Sequence, residues 1–118
     1  MPGLSIHVVD VTRGLIATGM QVEVRRIEPD GAATPIVAGA IAGRGLLEHP
    51  ALDARLARGR YEADFHVAAY YRAAGIVLPA TPFLDVVTYR FGIDDPAQHY
   101  HLPFKCTPWG YSCFRGGA

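Results

Sequence analysis

Apolar and polar residues alternate along several short segments of this chain, and turn-forming residues separate those segments. The clearest alternation covers residues 20–27, where every second position from Met20 to Val24 is apolar. A period of two predicts a strand with one buried and one exposed face. Similar runs, several of them rich in β-branched residues, predict further strands at 4–11, 35–41, 60–67, 83–91, from 99 onward and at 111–115.

Turn and helix signals fall between these strands. Glu28-Pro29-Asp30-Gly31 and Thr107-Pro108-Trp109-Gly110 predict turns, because proline presets one backbone angle and glycine tolerates positive φ. Residues 68–74 have the composition of a short helix, which ends at Gly75. Seven or eight short strands with one short helix predict an all-β protein, a β-sandwich.

Size and charge limit the class of protein and partner. At 118 residues, the chain is expected to form a single domain spanning 1–118. Lys and Arg number 11, as do Asp and Glu, so the whole chain carries no basic field for nucleic acid or anionic lipid. No apolar run approaches the ~20 residues that span a bilayer, and the segment after Met1 lacks the regions of a signal peptide. We expect a cytoplasmic protein without nucleic-acid or membrane partners, with Cys106 and Cys113 as free thiols.

The histidines near the end of the chain are the first candidates for chemistry. His99 and His101 are two residues apart in a predicted strand, so their side chains lie on one side, about 6.5–7 Å apart. Lys105 shares that side, opposite the apolar Leu102 and Phe104. If the apolar pair faces the core, His101 and Lys105 face outward. That outward face is either plain surface or half of a subunit interface.

Other polar residues admit more than one interpretation. His7 in a β-branched strand is more often a hydrogen-bonded structural histidine than a catalytic one. Arg44 between two glycines is usually a solvated loop residue, although those glycines would let the backbone approach a ligand. The His-x-His pair at 99–101 is also a plausible metal half-site, but the sequence does not place further ligands beside it. We expect neither a metal nor another cofactor.

Several of these segments form a recognisable set. The most specific are His99-Tyr100-His101-Leu102-Pro103 and the tail from Pro108 to Gly116; the others are Ile6-His7-Val8-Val9-Asp10 with Gly14, Gly43-Arg44, Phe83-Leu84-Asp85-Val86-Val87 and Arg90-Phe91-Gly92-Ile93. Over nearly its whole length the chain resembles the 5-hydroxyisourate hydrolase family, the transthyretin-like proteins of urate breakdown. The resemblance implies a two-sheet transthyretin-like β-sandwich that assembles as a homotetramer, a dimer of dimers. It also implies sites for a small-molecule substrate in a channel between the dimers.

The resemblance further implies which residues carry the activity. The family's catalytic set corresponds to His7, Arg44 and His101 in this chain. An imidazole that titrates near neutrality can act as a base, and arginine presents a fork of charged donors to a planar, oxygen-rich substrate. His7 and His101 would then share the proton transfers, with the identity of the base left open, while Arg44 binds the substrate. Further substrate-binding candidates are Lys105, Ser112, Phe114 and Arg115.

Some positions near this site depart from the family pattern. Phe114-Arg115-Gly116-Gly117 replaces the family's Tyr-Arg-Gly-Ser and lacks its two hydroxyl groups. Lys105 stands where the family usually has an apolar residue. It is either a solvated charge that weakens dimer–dimer packing or a cation or desolvated amine for a different substrate. We expect hydrolysis of 5-hydroxyisourate; the alternatives are a divergent paralogue acting on another cyclic metabolite and a non-catalytic ligand-binding module.

Overall fold

The computed structural model describes residues 2–117, in which eight strands and two short helices are present. In chain order these elements are β1 (Gly3–Asp10), β2 (Leu15–Ile16), β3 (Gln21–Ile27), β4 (Ala33–Ala40), α1 (Pro50–Asp53), β5 (Gly59–His66), α2 (Val67–Ala73), β6 (Val86–Ile93), β7 (His99–Thr107) and β8 (Gly110–Cys113). Neither helix has the length and apolar character needed to cross a membrane.

The strands form two four-stranded sheets packed face to face. Sheet 1 has the order β2-β1-β7-β8, and sheet 2 has the order β4-β3-β5-β6. Neighbouring strands are antiparallel except for β1 and β7, which run parallel. In the apolar core between the sheets, the rings of Phe65 on β5 and Phe104 on β7 stack with centroids 3.9 Å apart. The prediction of an all-β, two-sheet β-sandwich is therefore confirmed.

Most predicted elements are present with ends shifted by one or two residues. The helix predicted at 68–74 is α2, and Gly75 is the second residue after its end, with a φ of +85°. Because Val67 begins α2, the strand predicted at 60–67 ends at His66. The turn predicted at 107–110 joins β7 to β8, and the hydroxyl of Thr107 accepts hydrogen bonds from the N–H groups of Trp109 and Gly110 at 3.1 Å.

The strand predicted at 83–91 is displaced. Strand β6 begins at Val86 and continues to Ile93, so the prediction for residues 83–85 was wrong. The carbonyl of Asp85 instead accepts hydrogen bonds from the N–H groups of Val67 and Ala68, each at 3.2 Å. This segment therefore satisfies the first amides of α2 rather than extending the sheet.

The final strand ends earlier than predicted. Strand β8 stops at Cys113, so Phe114 and Arg115 lie beyond it, and the predicted strand 111–115 was too long. The N–H of Gly116 donates to the carbonyl of His101 at 2.7 Å, which holds the tail against the start of β7.

Two short elements were not predicted. Strand β2 contributes only two residues beside the end of β1. Helix α1 has four residues, and the ring Nδ1 of His49 accepts a hydrogen bond from the N–H of Ala51 at 3.1 Å. Elements this short contain too few residues for a periodic pattern to develop.

A buried carboxylate joins β1 to α2 at one end of the sandwich. The side chain of Asp10 is fully buried. It accepts hydrogen bonds from Tyr71 at 2.7 Å, Tyr70 at 3.0 Å and Arg13 at 2.8 Å. Burial alone would raise the pKa of Asp10, but these donors outweigh burial and lower the pKa below its usual value. The Tyr71 hydroxyl oxygen also lies 3.0 Å from the carbonyl oxygen of Cys106, so the cluster reaches the backbone of β7 as well.

Replacing Asp10 by Asn is expected to lower the free energy of unfolding near neutral pH by about 1.5–3 kcal/mol, because hydrogen bonds to a charged group are lost. A carboxyl with a lowered folded pKa stabilises the protein above its unfolded pKa of about 3.9, and that contribution disappears as the pH falls through the folded pKa. The difference between Asp10→Asn and wild type in urea unfolding should therefore shrink in acid.

Asp94→Asn is the matched control, since the side chain of Asp94 is 97% exposed. Equal effects of the two variants would contradict a stabilising role for the Asp10 cluster.

Candidate active site

The outward-facing side chains of β1, β7 and β8 form one continuous surface, here called the histidine face. Inward-facing Tyr100, Leu102 and Phe104 on β7 are buried, whereas His99 and His101 are partly exposed. The same alternation on β1 leaves every second residue from Ser5 partly exposed. The histidine face consists of Ser5, His7, Val9, His99, His101, Pro103, Lys105 and Ser112.

Parallel pairing of β1 with β7 brings the candidate histidines together. Ser5 is paired with His101, and His7 is paired with Pro103. Because paired strands lie about 4.8 Å apart, His7 sits diagonally across from His101. The histidine face includes no Asp or Glu, so it is neutral or positively charged as a whole.

Ser5 connects the two histidines of β7. Its hydroxyl oxygen lies 2.6 Å from Nδ1 of His101 and 2.8 Å from Nε2 of His99. The other ring nitrogen of His99, Nδ1, is buried and has no hydrogen-bond partner among residues 2–117. The ring of His101 is therefore held at Nδ1, and its Nε2 is left for another partner.

The surroundings of His101 favour a neutral ring. Burial lowers the pKa of His101 below its ordinary value of 6.5, and repulsion from His7 and His99 lowers it further. A neutral imidazole has one N–H donor and one unprotonated nitrogen, which is the form that can exchange protons or donate selectively.

His7 is held against a loop that runs along β1. The N–H of Val8 donates to the carbonyl of Gly45 at 2.9 Å, and the N–H of Leu47 donates to the carbonyl of Ile6 at 3.1 Å. Gly45 has a φ of +83°, and a Cβ there would lie 2.7 Å from Nε2 of His7. Glycine at this position therefore allows both the loop conformation and the close approach of the imidazole.

Arg44 precedes this glycine and lies beside the β1 end of the histidine face. Together with Ser5 it lines an open cleft. Its guanidinium hydrogen-bonds Glu48 at 3.2 Å, and the Arg44 side chain is 76% exposed. An exposed ion pair of this kind contributes little to stability, so the guanidinium can leave Glu48 for a ligand at low cost.

The C-terminal tail packs closely against the ring of His101. A Cβ at Gly116 would lie 2.7 Å from Cδ2 of His101. Arg115 points away from the histidine face: its guanidinium lies 4.0 Å from the ring centroid of Tyr100 and donates to Gln98 at 3.0 Å. Gly116 therefore lies against the ring of His101, whereas Arg115 holds the tail in place through its contacts with Tyr100 and Gln98.

Lys105 and Ser112 occupy the β8 end of the same face. They are paired directly across β7 and β8, and both are exposed. The Lys105 ammonium lies 6.0 Å from the ring centroid of Phe114, within the outer range of a cation–π contact. No ion pair within residues 2–117 involves Lys105.

The remaining histidines and the cysteines are not part of the histidine face. His49 caps α1 and also lines the cleft beside Arg44, whereas His66 lies on sheet 2, 3.2 Å from Glu23. Both cysteines are free, and burial raises the pKa of the Cys106 and Cys113 thiols to about 11. In the described part of the chain, no three His, Cys, Asp or Glu side chains gather as metal ligands.

Sequence reasoning missed two residues that shape the face. Ser5 shares the face of His7 by simple alternation, but its contact with His99 and His101 depends on the β1–β7 register. Gly116 was noticed only as part of the tail. Nothing in the sequence alone indicates that its missing side chain leaves room for the His101 ring.

The site therefore combines two imidazoles, one of them neutral, with a loop guanidinium near one open face. These groups can bind and hydrolyse a polar cyclic amide.

Two solved structures are similar over almost the whole chain. One, of Klebsiella pneumoniae 5-hydroxyisourate hydrolase, is 27% identical with a TM-score of 0.78, and the match covers 99% of this chain and 100% of that one. The other, of (S)-allantoin synthase, is 34% identical with a TM-score of 0.87, and the match covers 98% of this chain but 43% of that longer chain.

Sequence comparison agrees with these structural likenesses. A 5-hydroxyisourate hydrolase of Deinococcus radiodurans is 43% identical over 117 residues, which cover 98% of this chain and 96% of that protein. The model of the HIUase/Transthyretin family matches residues 4–116. This chain therefore belongs to the HIUase/Transthyretin family.

Proposed function

We propose that this protein hydrolyses 5-hydroxyisourate, opening its cyclic amide in urate breakdown. The observation that carries the proposal is the placement of His7 and His101 on one partly exposed face, with Arg44 on the loop beside β1. The family membership and the names of its near full-length relatives support this substrate.

The reaction needs groups that the histidine face supplies. The oxygen of a water molecule bonds to the amide carbonyl carbon while a base removes a proton from that water. The carbonyl oxygen becomes an oxyanion that needs a hydrogen-bond donor. The carbon–nitrogen bond then breaks, and the nitrogen takes the proton back from the protonated base. His7 and His101 supply the base and the donor.

Arg44 is assigned to substrate binding. Its guanidinium is always charged and presents donors in one plane, which matches the oxygens of a planar heterocycle. The exposed contact with Glu48 at 3.2 Å is readily exchanged for the substrate.

The proposal includes assembly as a homotetramer. Strands β6 and β8 are open edges, and the stacking of Phe65 on Phe104 places the edge of sheet 2 above the edge of sheet 1. A second copy could therefore extend both sheets at once. Tyr111 is 48% exposed on β8, and covering it would add apolar contact. The histidine face of each dimer would then close against another dimer to form the substrate channel.

Lys105 supports a second candidate, hydrolysis of a different, anionic cyclic metabolite. It adds a cation to a face without carboxylates and has no ion-pair partner within residues 2–117. The Lys105 side chain is exposed in the single chain, so its amino group is not desolvated there. If Lys105 only borders the channel, Lys105→Leu should leave the rate with 5-hydroxyisourate largely unchanged.

The main test follows the ultraviolet decay of freshly generated 5-hydroxyisourate with and without the protein. Wild type should accelerate the decay, and His101→Ala should lose about 10²–10⁴-fold, because the face would lose either its base or its oxyanion donor. His66→Ala is the control, because His66 lies on sheet 2 beside Glu23, away from the histidine face. Decay at the spontaneous rate with folded wild type would rule out this substrate, whereas equal activity of wild type and His101→Ala would rule out this face.

A second test uses the two glycines of the tail. Gly116→Ala should reduce kcat by about 10²-fold, because the new Cβ displaces the ring of His101 and small misplacements are costly in catalysis. Gly117→Ala is the matched control, since a Cβ there meets nothing within 4 Å. The contact between tail and ring would be irrelevant to catalysis if steady-state kinetics gave the same kcat for both variants.

A further inference from the structure

We infer that Ser5 is a positioning residue that holds His101 in one tautomer, with its proton on Nε2, through a chain of hydrogen bonds that begins at His99. The inference deepens the proposed function, because it assigns His101 as the donor to the oxyanion and His7 as the base. It rests on the three side chains that the parallel register brings together.

The geometry makes the serine hydroxyl a shared partner. Its oxygen lies within hydrogen-bond distance of two imidazole nitrogens, at 2.6 Å from His101 and 2.8 Å from His99. A hydroxyl has only one proton to donate, together with two acceptor lone pairs. With neutral rings, the hydroxyl either donates to one of them and accepts from the other, or accepts from both. Acceptance from both would leave the hydroxyl proton without an acceptor, because the two imidazoles are the only hydrogen-bond partners of the Ser5 side chain within residues 2–117.

The two possible directions of these hydrogen bonds differ in whether Nδ1 of His99, the ring nitrogen that does not contact Ser5, carries a proton. If Ser5 donates to His101, then Nε2 of His99 carries the proton that Ser5 accepts, and Nδ1 of His99 is unprotonated. If Ser5 donates to His99, then Nδ1 of His99 carries a proton. That nitrogen is buried and has no acceptor within residues 2–117. A buried N–H without an acceptor is among the rarest arrangements in native proteins.

The hydrogen bonds therefore run from His99 to Ser5 and from Ser5 to His101. Nδ1 of His101 accepts, so its proton is on Nε2, the nitrogen that Ser5 does not occupy. A neutral imidazole in this form donates a hydrogen bond, but it cannot take a proton at Nε2. The low pKa of His101 keeps the ring neutral, so the donor state persists at neutral pH.

This tautomer divides the roles between the histidines. The water proton passes to His7, whose ring makes no hydrogen bond with the described residues. The oxyanion accepts a hydrogen bond from Nε2–H of His101, which keeps its proton throughout. When the carbon–nitrogen bond breaks, the departing nitrogen takes the proton from His7, and both imidazoles return to their starting states.

The charged groups around His101 are compatible with this assignment. His7 on β1 and His99 on β7 both disfavour its protonation. Arg44 on the loop is paired with Glu48, and Arg115 of the tail lies against Tyr100 on the opposite side of β7. Lys105 lies four residues further along β7.

The test combines spectroscopy of the wild-type protein with kinetics of two variants. In ¹⁵N-labelled protein, two-bond ¹H–¹⁵N spectra recorded above the pKa of His101 should show the proton on its Nε2. Ser5→Ala should lose this single tautomer and reduce kcat by about 10- to 100-fold, as for other residues that orient an imidazole. KM should change little, and Ser5→Thr should restore both the tautomer and kcat.

A proton on Nδ1 of His101 in wild type would overturn the inference, as would an unchanged kcat in Ser5→Ala. The spectroscopic arm needs no substrate, so it still decides the tautomer if Ser5→Ala does not fold. It also separates two failures: wild type with the Nε2 tautomer but without hydrolase activity would contradict the proposed function and leave the positioning role of Ser5 intact.

Discussion

The parallel pairing of β1 with β7 is the constraint on which the site depends. Side chains alternate faces along each strand, so the register decides which outward residues become neighbours. The observed register pairs Ser5 with His101 and His7 with Pro103. A shift of one residue would turn His7 and Ser5 into the core and place apolar side chains of β1 beside the histidines of β7.

Three neighbouring parts of the structure support this strand pair: the Asp10 cluster, the loop through Gly45 and the C-terminal tail. The Asp10 cluster joins the end of β1 to α2 and to the backbone of β7. The loop through Gly45 adds backbone hydrogen bonds to the other edge of β1 and brings Arg44 to the face. The tail returns along β7, where Gly116 leaves room for the His101 ring. A side chain at Gly45 or Gly116 would collide with the ring of His7 or His101. Placement of the imidazoles, and not only reversal of the chain, therefore restricts these two positions to glycine.

Sequence reasoning reached the fold because strands depend on local pattern, whereas the choice of His7, Arg44 and His101 came from the family resemblance and stays a prediction. Alternation identified the strands and placed His101 and Lys105 on the outward side. It failed where a distant contact decides the outcome: residues 83–85 leave the strand because Asp85 serves the start of α2, and Arg115 turns away because it stacks on Tyr100. The contact between Ser5 and the β7 histidines was equally inaccessible, since it requires the register of strands 94 residues or more apart in sequence.

A face this open, rich in imidazoles and without carboxylates, binds a small polar substrate well only when something covers it. We propose that a second dimer covers the histidine face, so the working site would lie between two dimers. The most direct test measures specific activity over a dilution series together with the oligomeric state, by mass photometry, at the same concentrations. Activity per chain should fall in parallel with loss of the tetramer; constant activity per chain down to the dimer or monomer would contradict this account.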